Sequence, residues 1–303
     1  MHGFYNGISM LHSLCESHDI VCVQEHWLHN YEFSKFSDWC PEFNVYGISA
    51  MNDKVASGIL VGRPFGGVAV LWKKNKNFVV KFLQSDDNGR YLVMSLKYNT
   101  LTFIIHCIYC PCNSGSVEYL VEVNNLFAKI ELNLGLFTNA FHIISGDFNI
   151  GDHSVGQGAE LLNNLVDKCK IVNCDSFNSS EINYTYNHTG LNHRSWIDHF
   201  FVSNNFRSSV DKLEIIDNGL NTSDHLPISC TFRIKEICSL KSVNDRNNNK
   251  KIYRDRWDKA NLSMYYNLTG ELLQSSDKLL TASSLLDDDS INTLQSQSYK
   301  KKL

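Results

Sequence analysis

Three β-rich runs follow one another in the middle of the chain with only turns between them: Gly67 to Trp72, Tyr91 to Leu96 and Leu101 to Ile108. Turn chemistry such as Asp87-Asn88-Gly89 separates them. On either side the pattern changes. Ile8, Leu11 and Cys15 share one helical face, with Leu14 beside them, and a buried strand from Ile20 to Val23 follows at once. Leu120, Val123, Phe127 and Ile130 keep helical spacing before a second buried strand, Phe141 to Ser145, and Leu161, Leu162, Leu165, Val166 and Cys169 predict a third helix. Late strands are predicted at Ile197 to Val202 and Leu226 to Phe232. A chain that mixes both patterns suggests an α/β fold of two packed sheets with helices outside, rather than one doubly wound sheet. At 303 residues and 43% hydrophobic, it can bury one large core with an appendage.

The composition shifts after about residue 236, where Asn244 to Lys251 reads NDRNNNKK. Polar, charged stretches of this kind are linkers. We therefore expect one domain over residues 1–235, a linker over 236–255, and a partly helical, partly disordered tail over 256–303 that carries Trp257, Leu262, Leu268 and Leu272. No run reaches the roughly 18 apolar residues of a membrane span, and the N-terminus lacks the order of a signal peptide. The protein is expected to be intracellular, nuclear or cytoplasmic. Its ten cysteines sit in apolar stretches without metal-binding pairs, so they read as reduced thiols and zinc is not expected. With 28 basic and 32 acidic residues and a net charge of -4, no bulk positive field exists to drive sequence-blind nucleic-acid binding. Any such contact must come from a local patch.

Acidic and amide residues fall at strand ends. Glu25 lies just beyond Ile20 to Val23, Asp147 and Asn149 just beyond Phe141 to Ser145, Asp198 at the start of Ile197 to Val202, and Asp224 and His225 just before the last strand. Rigid strands aim short side chains into a common crevice at such positions. Singly, each is also ordinary surface, cap or turn chemistry. Four carboxylates converging on one pocket would repel one another unless a cation lay among them, and oxygen ligands without thiolates imply a hard divalent ion, Mg²⁺ or Mn²⁺.

The order of these blocks resembles the endonuclease/exonuclease/phosphatase superfamily of DNase I-like proteins. The matching pieces are QEHWL at Gln24 to Leu28, GGVAVLWKK at Gly66 to Lys74, IYCPCN at Ile108 to Asn113, SGDFN at Ser145 to Asn149, SWIDHFFVS at Ser195 to Ser203 and SDHLPI at Ser223 to Ile228. QEHWL and RWDKANLSMYYNLTGELL, from Arg256, resemble the endonuclease domains of non-long-terminal-repeat retrotransposons, in which such a tail leads into a reverse transcriptase. The resemblance implies a four-layer α-β-β-α sandwich and an enzyme that nicks DNA, with DNA as partner. It implies Glu25 as principal Mg²⁺ ligand helped by Asp224, Asp147 as the group that orients or deprotonates water, and Asn149 as a holder of water or phosphate. His225 with Asp198 resembles the family's His-Asp pair, and Tyr109 matches a tyrosine that bonds the scissile phosphate. Thr185, Tyr186 and Ser195 lie where such proteins meet the DNA backbone, although Thr185 and Tyr186 also read as plain strand. Arg63, Lys73, Lys74 and Arg194 read equally as phosphate contacts and as surface charge.

Two departures stand out. The family begins with a strand ending in a catalytic Asn, and Met1 to Phe4 resembles the turn after it, so the first strand is expected to be missing; Asn6, past the glycine, reads as serving the helix start. The Tyr109 block is one residue longer than the family pattern, which separates Asn113 from its expected place. Other functions remain in view: a non-catalytic remnant that binds nucleic acid or a partner, and a phosphatase of inositol phosphates or lipid headgroups. Relatives of the latter kind carry Trp-Cys-Asp-Arg where this chain has Trp196-Ile197-Asp198-His199.

Overall fold

The computed structural model describes residues 3–51, 64–151 and 155–234. Arg63, the linker expected at 236–255 and the tail expected at 256–303 lie outside the described residues.

The first third of the chain builds one side of the molecule. Helix α1 (Phe4–Ser17) leads into strand β1 (Ile20–Gln24), then a short helix α2 (Ser34–Trp39), β2 (Phe43–Ile48) and β3 (Val68–Lys73). β3 lies between β1 and β2, antiparallel to both. Val21 and Val23 alternate on β1 to face α1, where Phe4, Leu11 and Cys15 meet them and Phe36 closes the cluster. α1 begins four residues earlier than the apolar spacing predicts, because Gly3 takes a positive φ of 82° and its amide bonds the Glu25 carbonyl at 3.1 Å.

A six-stranded sheet follows, made of β4 (Val79–Ser85), β5 (Tyr91–Tyr98), β6 (Leu101–Tyr109), β7 (Phe141–Asp147), β8 (Ile171–Asn173) and, after the hairpin β9 (Tyr186–His188) and β10 (His193–Ser195), β11 (Asp198–Ser203). Its order is β4-β5-β6-β7-β11-β8, with β6 and β7 parallel and the other pairs antiparallel. The β6 to β7 crossover is helix α3 (Val117–Leu136), started by Ser116, whose Oγ accepts the Tyr119 amide at 3.2 Å. Such a cap contributes about 1 kcal/mol. Val123, Phe127 and Ile130 of α3 and Leu162 and Leu165 of α4 (Gln157–Cys169) cover the outer face of the sheet. The inner face, with Leu96, Phe103, Ile105 and Ile143, packs against Val68, Val70 and the hairpin of β12 (Val210–Ile215) and β13 (Ile228–Phe232). The layers are helix, sheet, sheet, helix, as the sequence predicts; each fully buried Leu, Val or Phe contributes about 1.5–3 kcal/mol.

One seam stays open. β1 has a sheet neighbour on one edge, β3, and β13 has one, β12, and among the described residues no backbone hydrogen bond joins β1 to β13. In an antiparallel pair alternate residues turn their peptide groups outward. Lys73 N bonds Asp19 O at 2.9 Å and Ile216 N bonds Pro227 O at 2.8 Å, which sets the alternation and leaves Ile20, Cys22, Ile228 and Cys230 facing the gap. Both strands line a cavity of about 430 Å³, with Leu96, Phe103 and Ile143 on one side and Met10, Leu11 and Leu14 on the other. His18 Nε2 and Ser229 Oγ, 2.7 Å apart, tie the two strands together at one end.

Candidate active site

Register builds half of the site. Tyr109 at the end of β6 pairs with Asp147 at the end of β7, and Asp147 pairs with Asp198 at the start of β11, so three functional side chains stand in one row across three adjacent strands. Asp147 is the last residue of β7 rather than the loop residue the sequence predicts, because pairing with β6 and β11 carries the strand through Gly146. Only glycine fits there: a Cβ at Gly146, whose φ is 151°, would lie 1.9 Å from the Ile108 carbonyl oxygen. Beyond it Asn149 turns back with φ 51°; its amide bonds Asp147 Oδ1 at 2.9 Å and its Nδ2 reaches the Cys110 carbonyl at 2.9 Å and Asp147 Oδ2 at 3.2 Å.

The other half comes from the open seam. Glu25 follows β1 in a left-handed conformation, φ 56°, held by its own amide on the Gly67 carbonyl at 2.9 Å. A non-glycine residue in that region costs of order 1–3 kcal/mol, here in the service of aiming a carboxylate. Tyr109 donates its hydroxyl to Glu25 Oε1. His225 precedes β13, and its segment is pinned beside β9 by Leu226 N to Thr185 O at 2.6 Å and Asn187 N to Asp224 O at 2.8 Å. Its Nδ1 lies 2.9 Å from Asp198 Oδ2 and its Nε2 3.9 Å from Asp147 Oδ2.

Burial, with the charge of Asp198 added, pushes the Asp147 carboxyl up to about 7. Burial works against a charged His225, but the charge and hydrogen bond of Asp198, with the charge of Asp147, raise it to about 9. The imidazolium thus answers part of the negative charge of the two aspartates. Ligand atoms of Asp147, Asp198 and His225 lie within 4.8 Å of one another, and Glu25 lines the same cavity. Asp147, Asp198 and Glu25 together offer carboxylate oxygens, and the Asp147 carboxyl, raised by burial and by the charge of Asp198, fits a divalent cation among them.

The structure brings Glu25, Tyr109, Asp147, Asn149, Asp198 and His225 to one end of the two sheets. Asp224 stands beside them in sequence, its carbonyl taken by Asn187 and its Oδ1 3.4 Å from Ser223 Oγ. Thr185 is a correction. It is fully buried, and its Oγ1 accepts the Ile197 and Asp198 amides at 3.0 and 3.1 Å, so it fixes β11 instead of meeting DNA. Lys73 and Lys74 sit at the far end of β3, on the Glu16 and Pro41 carbonyls, because the strand's site end is Val68. Arg194 is exposed on β10 and stacks over Tyr184 at 4.5 Å; Ser195 gives its carbonyl to Thr185 N at 3.0 Å. Asn113 closes its own turn on Gly115 N at 2.9 Å, and Asn6 lies within α1. Tyr186, which the sequence reads as a backbone contact or as plain strand, has its ring 5.0 Å from His225. One neighbour escaped the sequence reading: Arg90 stacks over the Tyr109 ring at 5.0 Å and pairs with Glu122 at 2.7 Å. Nothing in the local sequence marks Arg90, since strand pairing alone brings it to Tyr109.

Residues 3–225 match the model of the Endonuclease/Exonuclease/phosphatase family. No curated protein sequence matches the chain. Among solved structures, a 3′ phosphatase from Neisseria bound to a product DNA hairpin superposes with a TM-score of 0.57 at 17% identity, over 77% of this chain and 96% of that one. An AP endonuclease from Leishmania major gives 0.57 at 16% identity over 76% and 85% of the two chains. The endonuclease domain of TRAS1, a telomere-specific non-LTR retrotransposon, gives 0.52 at 14% over 76% and 93%. At these identities the superpositions speak for the fold. Because the family match runs from the turn ahead of α1 to His225, the chain belongs to the Endonuclease/Exonuclease/phosphatase family and is, by class, a metal-dependent phosphodiester hydrolase.

Proposed function

We propose that this chain is the DNA-nicking endonuclease domain of a retrotransposon, dependent on Mg²⁺ or Mn²⁺, with the domain ending near residue 235 and the tail leading toward a reverse transcriptase. The observation that carries the reading is the row Tyr109, Asp147, Asp198, with Tyr109 bonded to Glu25 at one end and Asp198 to His225 at the other. An in-line displacement at a phosphodiester needs an activated water, charge on the non-bridging oxygens and help for the leaving alkoxide. Glu25, with Asp224, would hold the cation, which supplies charge to the phosphate when bound. Asp147, raised to about 7, is placed to orient a water and accept its proton. Asn149 keeps that carboxylate in line. His225, fixed by Asp198 and cationic up to about 9, binds a phosphate oxygen and can pass a proton to the leaving group. Arg194 and Ser195, on the hairpin beside His225, are proposed backbone contacts. The retrotransposon assignment draws on QEHWL and on the segment from Arg256, and the likeness to the TRAS1 domain is compatible with it.

Plasmid nicking with Mg²⁺, with EDTA, and with Asp147→Ala and His225→Ala tests the proposal. Each substitution should lower the rate by about 10²–10⁴, the usual range for a positioned acid or base. Equal nicking by wild type and both variants would mean a contaminating nuclease. A second reading, a binding protein without catalysis, draws on the open seam beside β1. It is separated by pairing the nicking assay with duplex-DNA binding titrations: binding without nicking in Mg²⁺ favours it, whereas nicking lost in both variants with binding kept favours catalysis.

A further inference from the structure

β11 carries a second Asp–His pair that the chemistry above does not use. Neighbouring residues on a strand face opposite ways, so Asp198 turns into the site to hold His225 while His199 turns into the interior, where it is 1% exposed. There its Nδ1 lies 2.6 Å from Asp175 Oδ2 and its Nε2 lies 2.7 Å from the Ile150 carbonyl oxygen. A carbonyl only accepts, so Nε2 carries a proton and donates it to Ile150 whatever the state of Nδ1. Asp175, in the turn after β8, is held in its own place: Asn173 Nδ2 donates to the same Oδ2 at 3.0 Å, and Asn173 Oδ1 accepts the Asp175 amide at 2.9 Å.

Ile150 ends the turn that follows Asp147 and carries Asn149. That turn is clamped on one side by Phe148 N on the Ile197 carbonyl at 2.9 Å, with the Phe148 ring buried between His199 at 5.5 Å and Phe201 at 5.1 Å. The imidazole of His199 closes the other side. We propose that His199, oriented by Asp175, is a positioning residue of the active site, whose Nε2–H fixes the Ile150 carbonyl and through it the aim of Asp147 and Asn149. The inference rests on the catalytic reading of those two residues. A pair that served only core stability would also satisfy this buried carbonyl, so the two roles are separated by kcat and local exchange measured on folded variants.

The test compares His199→Phe, which fills the space without a donor, His199→Gln, whose Nε2–H can reach the same carbonyl, and Asp175→Asn. In Mg²⁺-dependent nicking, His199→Phe should lower kcat by about 10–100-fold, the range for a lost outer partner, with KM little changed. His199→Gln should recover most of that loss although it lacks the pairing with Asp175, and Asp175→Asn should fall between them. Independently of activity, hydrogen exchange at the Asn149 amide should rise about tenfold or more in His199→Phe and stay near wild type in His199→Gln. Wild-type kcat in folded His199→Phe, equal loss in the Phe and Gln variants, or unchanged exchange would overturn the proposal. If the wild type nicks no DNA, the functional reading above fails and the exchange measurement alone decides this one. If His199→Phe does not fold, Asp175→Asn carries both readouts, and no change in either refutes the role.

Discussion

Single side chains in this protein are held in defined protonation states by what surrounds them. His106 is fully buried on β6, its Nδ1 2.8 Å from the Tyr91 hydroxyl and its Nε2 3.0 Å from His142 Nδ1. His142 Nε2 lies 3.1 Å from the Phe137 carbonyl, which can only accept. Each proton is thereby assigned: His142 donates to Phe137, His106 donates to His142, and Tyr91 donates to His106. An added proton on either ring would set two donors face to face. Burial accordingly holds His106 well below 6.5, and it holds His142 and His26 down as well, His26 to about 4. The unfolded chain binds protons at these rings as pH falls through about 6.5 while the folded chain does not, so stability is complete above that value and is lost below it, by about 1.4 kcal/mol per pH unit for each ring kept neutral. Asp147 works the other way, since the fold keeps its proton up to about 7. In metal-free Asp147→Asn protein, therefore, the melting temperature should drop steadily from pH 7 to pH 5. A melting temperature that is level across that range would refute the assignment.

Elements were legible where one physical demand dominated. β1, β7 and α3 announce themselves because burial on both faces of a strand, or along one stripe of a helix, leaves an unbroken apolar signal. β4 was missed because it is a sheet edge with Val79 and Phe82 exposed, and β12 because a bulge between Val210 and Lys212 breaks its alternation. β2 carries Gly47 inside an otherwise mixed run, and β9 and β10 are three residues each. The site shows the same divide. Residues at strand ends, Glu25, Asp147, Asp198 and His225, could be found from sequence order, whereas the burial of Thr185 and the approach of Arg90 to Tyr109 depend on pairings between distant segments. Gly146 tests how tightly β6 and β7 are joined. Gly146→Ala should lower the free energy of unfolding by at least about 3 kcal/mol, beyond ordinary overpacking, since the new methyl would meet backbone that cannot yield. Urea denaturation checks it, and a loss under about 1 kcal/mol would mean the strands can separate there at little cost.

At the scale of the whole described domain, order is unevenly distributed. β5, β6, β7 and β11 each have partners on both edges, while β1 and β13 have one each and face the cavity with the other. Amides of Cys22 and Cys230, which turn into the gap, should exchange with deuterium far faster than those of β6, with the outer strands opening before the global transition. Uniform protection across the two sheets would contradict this. Among the described residues no helix is long and apolar enough to cross a membrane. Tyr109, Asp147 and Asp198 stand on the continuous ladder, but Glu25 and His225 hang from the two banks of the seam. The span between those banks is held by side-chain bonds and not by a ladder, His18 to Ser229, Thr222 Oγ1 to the Asn6 carbonyl at 2.7 Å and Asn218 Nδ2 to Ser13 Oγ at 3.3 Å, so whatever is gripped by both acts as a further clasp. Catalytic competence and mechanical closure should then rise and fall together: a cation with a phosphate ester bound across the banks ought to quiet the seam's breathing, and a variant that cannot close it should hold its substrate slackly even with every reacting group intact.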